Sequence, residues 1–182
     1  MSTEFRVVAV SCAGKHAFSK QNQDSIRLIA GFGVEGDAHG GATVQHRSRW
    51  KKTEPMPNLR QVHLIAAEQI EALRGKGYHV APGAMGENVT TSGLDLLSLP
   101  EGTLLALGEA EIRITGLRTP CTQLNKFQDG LMGEMIERSA DGKKTAMKAG
   151  IMAIVTRDGA VAPGATIRVT LPPEPHKKLR PV

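Results

Sequence analysis

Two stretches of this chain use the same local device, and it limits what the rest can fold into. Pro100-Glu-Gly-Thr-Leu and Pro163-Gly-Ala-Thr-Ile each set a proline and glycine turn ahead of an alternating strand. Proline holds φ near −65° and glycine tolerates φ above zero, so such pairs end one element and aim the next. The chain carries 20 glycines and 10 prolines in 182 residues, too many interruptions for a helix bundle and well suited to short strands. The two turns read as two hairpins of one barrel, not as a domain repeat. Seven to nine short strands with two inserted helices and few crossover helices are expected. The fold class is therefore mainly β with inserted helices. A mixed, closed or nearly closed β-barrel suits it, because closure removes exposed strand edges.

Taken in order, Phe5 to Val10 reads as a first strand, Cys12 to Phe18 as a loop and Ile26 to Ala30 as a second strand. Val34-Glu-Gly-Asp-Ala-His-Gly-Gly follows, whose glycines let backbone N–H groups approach an anion, although such runs also serve simply as turns. Asp37 and His39 stand two apart and share a side in extended chain. His46, Arg47, Arg49, Lys51 and Lys52 form a basic run that reads equally as a solvated loop. Gln61 to Ile65 is a strand entering a helix at Ala66 to Leu73, ended by Gly75 and Gly77. His63, between Val62 and Leu64, reads as a hydrogen-bonded histidine before a metal ligand. Gly108-Glu109 predicts a two-residue hairpin turn. Leu131, Met135 and Ile136 fall at helical spacing on a short helix ending near Ser139. Gly150 to Thr156 is a strand, Asp158-Gly159 a hairpin signal, and Thr166 to Thr170 the expected partner strand. The tail from Pro172 to Val182, with four prolines, should be extended and free to pack on a partner.

The chain fits one domain, 1–182, large enough for a core without disulfides. Its net charge of +5 favours anionic ligands. With one Trp, one Tyr and four Phe it lacks the stacking platforms of a single-strand binder, so no nucleic-acid role is expected. Two distant cysteines argue for a reducing compartment. No apolar run reaches the length of a signal or a membrane span, so the expectation is a cytoplasmic protein with no membrane partner.

Cys121 is the candidate chemical centre. Ile112, Ile114 and Leu117 read as the end of a strand, after which Gly116 and Pro120 are expected to turn the chain and give the thiol a defined direction. Arg118 precedes it by three residues and Asn125 follows by four. A thiol at a strand exit with a cation nearby is a candidate reactive cysteine, and a buried structural cysteine is the alternative. Cys12 has no such setting.

Six segments together resemble the MOSC domain, the molybdenum cofactor sulfurase C-terminal family. They are Gly33-Val-Glu-Gly-Asp-Ala-His39, Gln61-Val-His-Leu-Ile-Ala-Ala-Glu68, Pro82-Gly-Ala-Met-Gly-Glu-Asn-Val89, Ser92-Gly-Leu-Asp-Leu, Arg118-Thr-Pro-Cys-Thr-Gln-Leu-Asn125 and Pro163-Gly-Ala-Thr-Ile. They stand in family order over about residues 25–170, leaving 171–182 as a proline-rich tail. The resemblance, to the stand-alone bacterial type, implies a mixed barrel of pyruvate-kinase-barrel-like form with an open cleft and one essential cysteine, here Cys121. It implies molybdopterin as cofactor, with Cys121 as metal ligand and catalytic residue. A soft thiolate suits that metal, and the cofactor's phosphate and polar ring call for cations and backbone donors. Arg47, Arg118 and the loop holding Gly36, Asp37 and His39 would supply these, with Asn88, Thr119 and Asn125 hydrogen-bonding the pterin.

The activity implied is reduction of N-hydroxylated bases or amines, a small-molecule substrate, with electrons from a separate flavin or iron–sulfur protein. A homodimer stays open. No aminotransferase-like region is present in these residues, so pyridoxal phosphate has no support. One alternative is a sulfur carrier holding a persulfide on Cys121 for cofactor maturation. Another is a non-catalytic module binding an acidic partner through the basic run.

Overall fold

The computed structural model describes residues 4–43 and 56–182. The protein is mainly β, with mixed sheets and few helices. In chain order its elements are β1 Arg6–Cys12, β2 Gln21–Gln23, β3 Ile26–Ile29, β4 Gly33–Val34, β5 Val62–Ala66, α1 Ala67–Gly75 and β6 Val89–Ser92. A single 3-10 turn at Leu96–Ser98 leads to β7 Leu104–Leu107 and β8 Ala110–Leu117. Then come α2 Gln123–Phe127, α3 Leu131–Glu134, β9 Ile136–Arg138, β10 Lys144–Met147, β11 Ile151–Arg157, β12 Gly159–Val161 and β13 Ile167–Thr170.

Eight strands form the main sheet in the order β13-β7-β8-β11-β5-β6-β1-β2, antiparallel except for the parallel β5–β6 pair that α1 connects. The two flanks of this order are themselves linked. Val7 N donates to Ala165 O at 2.9 Å, Gly164 N to Val7 O at 2.8 Å and Ile167 N to Phe5 O at 2.8 Å. A three-stranded sheet β12-β3-β4 and the hairpin β9–β10 complete the set.

Period-two alternation sorts the strand side chains onto two faces. Leu64 joins the main aliphatic core with Val10, Leu105, Leu107, Ile112 and Ile151. Its neighbour Ile65 points the other way, into a second cluster with Ile70 and Leu73 of α1, Met85, Leu124 and Met135. The strand β5 is thus covered on both faces, and Val62 to Ile65 are all buried. The second cluster is the floor beneath Cys121, because Leu124 and Met135 come from the segments just after it.

Four expectations need correction. Asp158-Gly159 is no hairpin turn: β12 pairs with β3, and β13 pairs with β7. Asp158 Oδ1 accepts from Ala30 N at 2.6 Å, tying the corner to the smaller sheet. Gly159 has no positive φ. It is small because a Cβ there would lie 2.4 Å from Ala110 N. Gly116 does not turn the chain either. It pairs with Met152 inside β8, and its missing side chain admits the tail, since a Cβ would lie 2.3 Å from Arg180 O. The helix at Leu131 stops at Glu134, and residues 136–138 are a strand paired with β10. The tail, which as expected forms no helix, lies along its own chain, with Leu117 N donating to Arg180 O at 2.8 Å and Glu101 N to Lys177 O at 2.9 Å.

Only the first of the two proline-glycine turns heads a hairpin, β7–β8; the strand fed by the second, β13, pairs with β7 itself. Gly108, with φ of +59°, does make the two-residue turn between β7 and β8, joining Leu107 to its partner Ala110.

Candidate active site

Strand β8 delivers the chain to the site. Arg118 extends its pairing by one residue, donating its N–H to Gly150 O at 3.0 Å. Arg118 Nη1 then bonds Thr119 O at 3.0 Å, and the buried Pro120 sets the bend that follows. Cys121 comes out of this bend half-exposed and not disulfide-bonded. It lines a recess of about 10 Å³ with Thr119, Pro120, Leu124 and Met135. Phe18, His63, Met85 and Arg118 line both this recess and a cleft of about 160 Å³. The cleft is further lined by His16, Lys20, His39, Arg60, Asn88 and Gln123. Among the described residues, cationic and imidazole side chains dominate its polar lining, which includes no carboxylate.

A dry polar cluster supports one wall. Lys20 Nζ lies 2.8 Å from Asp37 Oδ2, with the two side chains only 3% and 2% exposed. Asp37 also accepts from His39 N at 2.9 Å, Ala13 N at 3.3 Å and Asn88 Nδ2 at 3.0 Å, and its Oδ1 lies 3.3 Å from His39 Nδ1. Burial alone would raise the Asp37 carboxyl. The bonds from His39 and the Lys20 ammonium outweigh it and hold that carboxyl well below the usual range. Burial pushes the Lys20 ammonium down against the pull of Asp37. A charged pair is the form that satisfies both partners at neutral pH. His39 is thereby fixed through Nδ1, and it meets His16 edge-on at 5.2 Å.

His63 sits deeper and is a neutral imidazole. Its pKa falls to about 3, first because it is buried and second because the Arg118 charge lies nearby. Its Nε2 donates to Ala149 O at 2.7 Å, which matches the hydrogen-bonded histidine expected from its place in β5. Glu87, fully buried, organises the loop that carries Met85 and Gly86 into the cleft. Its carboxylate accepts from Gly83 N at 2.7 Å and Met85 N at 3.2 Å, while burial pushes its pKa up.

The sequence-predicted residues divide by location. Cys121, Arg118, Thr119, His39 and Asn88 come together around the cleft and its recess. The Asn88 side chain is engaged in the fold, donating to Ser11 O and Asp37 and accepting from His63 N at 3.2 Å. Asp37 stands behind His39 as its support. Gly36, exposed with φ of +75°, makes the turn before Asp37 and lines neither space. Asn125 is exposed, and its Oδ1 caps Met132 N at 2.8 Å. Arg47 and the rest of the basic run lie outside the described residues. Sequence reasoning missed Lys20, Arg60, His16, Phe18 and Gln123. Nothing local marks them: His16, Phe18, Lys20 and Arg60 sit in polar loops, and Gln123 opens the short helix α2. Cys12 lies behind the cluster, its thiol pKa raised first by burial and then by Asp37.

Comparison with known proteins gives the family. The MOSC domain matches residues 35–168, which hold Asp37, His39, Asn88, Arg118 and Cys121. The chain belongs to the MOSC domain family. It is similar to the YuaD protein from Bacillus subtilis, at 26% identity over 91% of this chain and 95% of that one, with a TM-score of 0.72. YiiM from Escherichia coli matches at 22% identity over 94% and 73% of the two chains, with a TM-score of 0.61. YiiM from Geobacillus stearothermophilus matches at 17% identity over 91% and 75%, with a TM-score of 0.64. The two YiiM likenesses show the fold alone. No curated protein matches the chain. Among the described residues, no helix of this MOSC protein is long and apolar enough to cross a membrane.

Proposed function

We propose that this MOSC protein binds a molybdenum cofactor through Cys121 and reduces N-hydroxylated bases or amines. The observation that carries the reading is a half-exposed cysteine in a recess that shares Phe18, His63, Met85 and Arg118 with a cleft further lined by Arg60 and His39. The donor set fits the group. A thiolate suits a soft metal, guanidiniums suit a phosphate, and the Asp37 carboxylate behind His39 is already neutralised by Lys20. The described residues enclose about 160 Å³, less than the roughly 300 Å³ or more usual for a small-molecule pocket, so they would hold one part of the cofactor.

When bound, the cofactor would supply the redox chemistry, and the protein would supply orientation and electrostatics. Cys121 would anchor the metal and Arg118 and Arg60 would hold the anionic group. The neutral His63 adds no further positive charge to the wall it shares with Arg118. His39, braced by Asp37, would exchange a proton with the occupant of the cleft. Reduction of an N–OH group consumes two electrons and two protons and releases water, so a separate electron-transfer protein, carrying flavin or an iron–sulfur centre, is part of the proposal. The hydrogen bonds joining β1 to residues 164–167 support reading the main sheet as a nearly closed barrel.

The test is to measure molybdenum and pterin in freshly purified protein from a molybdenum-replete host, alongside Cys121→Ser. The expected result is near-stoichiometric metal in the wild type and loss of at least about tenfold in the variant. Metal-free wild type, or full occupancy in the variant, rejects the reading. One observation favours a second reading, a sulfur carrier. The void directly beside Cys121 is about 10 Å³, near the room one water-sized atom needs and so suited to a single added sulfur. Intact mass after gentle purification separates the two, because a persulfide adds one sulfur to Cys121 without cofactor.

A further inference from the structure

A cavity larger than the cleft beside Cys121 lies elsewhere in the fold. Where β5 runs into α1, a cavity of about 360 Å³ opens against the segment that follows β6. Its volume falls within the roughly 300–1,000 Å³ typical of small-molecule sites. Its walls are apolar, made by Ile65, Ala66, Leu94, Leu96 and Leu97. It shares no lining residue with the cationic cleft, and only Ile65, 1% exposed, with the recess of Cys121.

The charges at its rim decide what it would accept. Lys148 reaches the cavity but is paired with Glu137. Glu68 lies in the first turn of α1 and accepts a bond from Gly93 N at 2.6 Å, yet among the described residues no cation is paired with it. The exposed Asp95 makes no side-chain bond or ion pair among the described residues. The positive end of α1, whose Ala66 cap provides no side-chain bond, is met by the Glu68 carboxylate in the same turn. The rim therefore carries two carboxylates without cationic partners on a chain whose net charge is +5. A carboxylate at the mouth of a low-dielectric cavity attracts a cation more strongly than one in open water.

We propose that this cavity is a second ligand site, taking a small organic cation with an apolar body. The hydrocarbon part packs on Leu94, Leu96 and Leu97, and the ammonium or amidinium faces Glu68 and Asp95. The site is independent of the reading given for Cys121, since it uses none of the same polar residues.

A methyl-detected NMR titration tests it, with phenethylamine as the cationic probe and 3-phenylpropionate as its anionic counterpart. Saturable shifts at the methyls of Leu94, Leu96 and Leu97 are expected with phenethylamine, and binding of phenylpropionate should be at least about fivefold weaker. Asp95→Asn and Glu68→Gln should each weaken the amine by about two- to fivefold, the latter keeping an acceptor for Gly93 N. Cys121→Ser should bind the amine as the wild type does. Tighter or equal binding of the carboxylate overturns the proposal. So does a lack of saturation at these methyls, or loss of binding in Cys121→Ser.

Discussion

The cleft beside Cys121 and the cavity at the start of α1 are built in opposite ways. The cleft is walled by polar groups that satisfy one another out of water: Lys20 with Asp37, Asp37 with His39 and Asn88, His63 with Ala149. The cavity is walled by aliphatic side chains, and its charges lie at an exposed rim, where Glu68 accepts from Gly93 N and Lys148 pairs with Glu137. In the first, removing one polar partner strands another. In the second, a charge can be removed and solvent takes its place. Polar groups thus hold the structure together throughout the first region, whereas in the second the exposed Asp95 holds nothing in place.

The sharpest way to break this contrast is Lys20→Met. It leaves the buried Asp37 carboxylate without its ammonium, and a cost of about 3–5 kcal/mol is expected in urea unfolding. Lys20→Met with Asp37→Asn should recover a large part of that. A loss below about 1 kcal/mol would mean the pair does not hold the cleft together.

Gly150 touches both regions, lining the apolar cavity while its carbonyl takes the Arg118 N–H. Its φ is +88° and a Cβ would lie 2.2 Å from Leu64 O. Gly150→Ala should therefore cost about 2 kcal/mol or more, and perturb resonances on both sides of β5. A change confined to one side would show the two regions to be less coupled than their shared strand implies.

Acid should act on the cleft first. His63 has a folded pKa of about 3 against an ordinary 6.5, so between those values the unfolded chain binds the extra proton. The stability associated with neutral His63 is complete above about pH 6.5 and is lost as pH falls toward 3, at up to about 1.4 kcal/mol per unit. Asp37, whose folded carboxyl lies below its ordinary 3.8, adds to the loss only below about that pH. Urea midpoints at pH 7, 6, 5 and 4 should follow this slope, and His63→Gln, which keeps a donor for Ala149 O, should flatten it between 6.5 and 4. The smallest effect belongs to the other region. Asp95→Asn should leave stability within about 0.5 kcal/mol, and a larger change would give the rim a structural role it is not expected to have.

The parts of the site readable from sequence were those that local geometry fixes. Ile112, Ile114 and Pro120 announce a strand and a bend, and Cys121 falls where they place it. Lys20 was invisible because a lysine among Ser, Gln and Asn reads as solvated, and only the fold sets Asp37 against it. Asp158-Gly159 misled for a related reason. Its composition matches a hairpin turn, but Gly159 is needed for a close approach to Ala110, a contact 49 positions back in the chain. Gly116 misled likewise, since what it accommodates is the tail at Arg180.

What the sequence by itself determined is the family, the strand-rich class and the one thiol at a strand exit. These depend on residue order and on conformational preferences that act over a few neighbours. Which strands pair, where the tail lies, which cations face the cleft and that a second cavity exists were decided only in the folded protein. Those features arise when β5 is buried on both faces, bringing together groups far apart in sequence whose charge and size matter only once water is excluded between them.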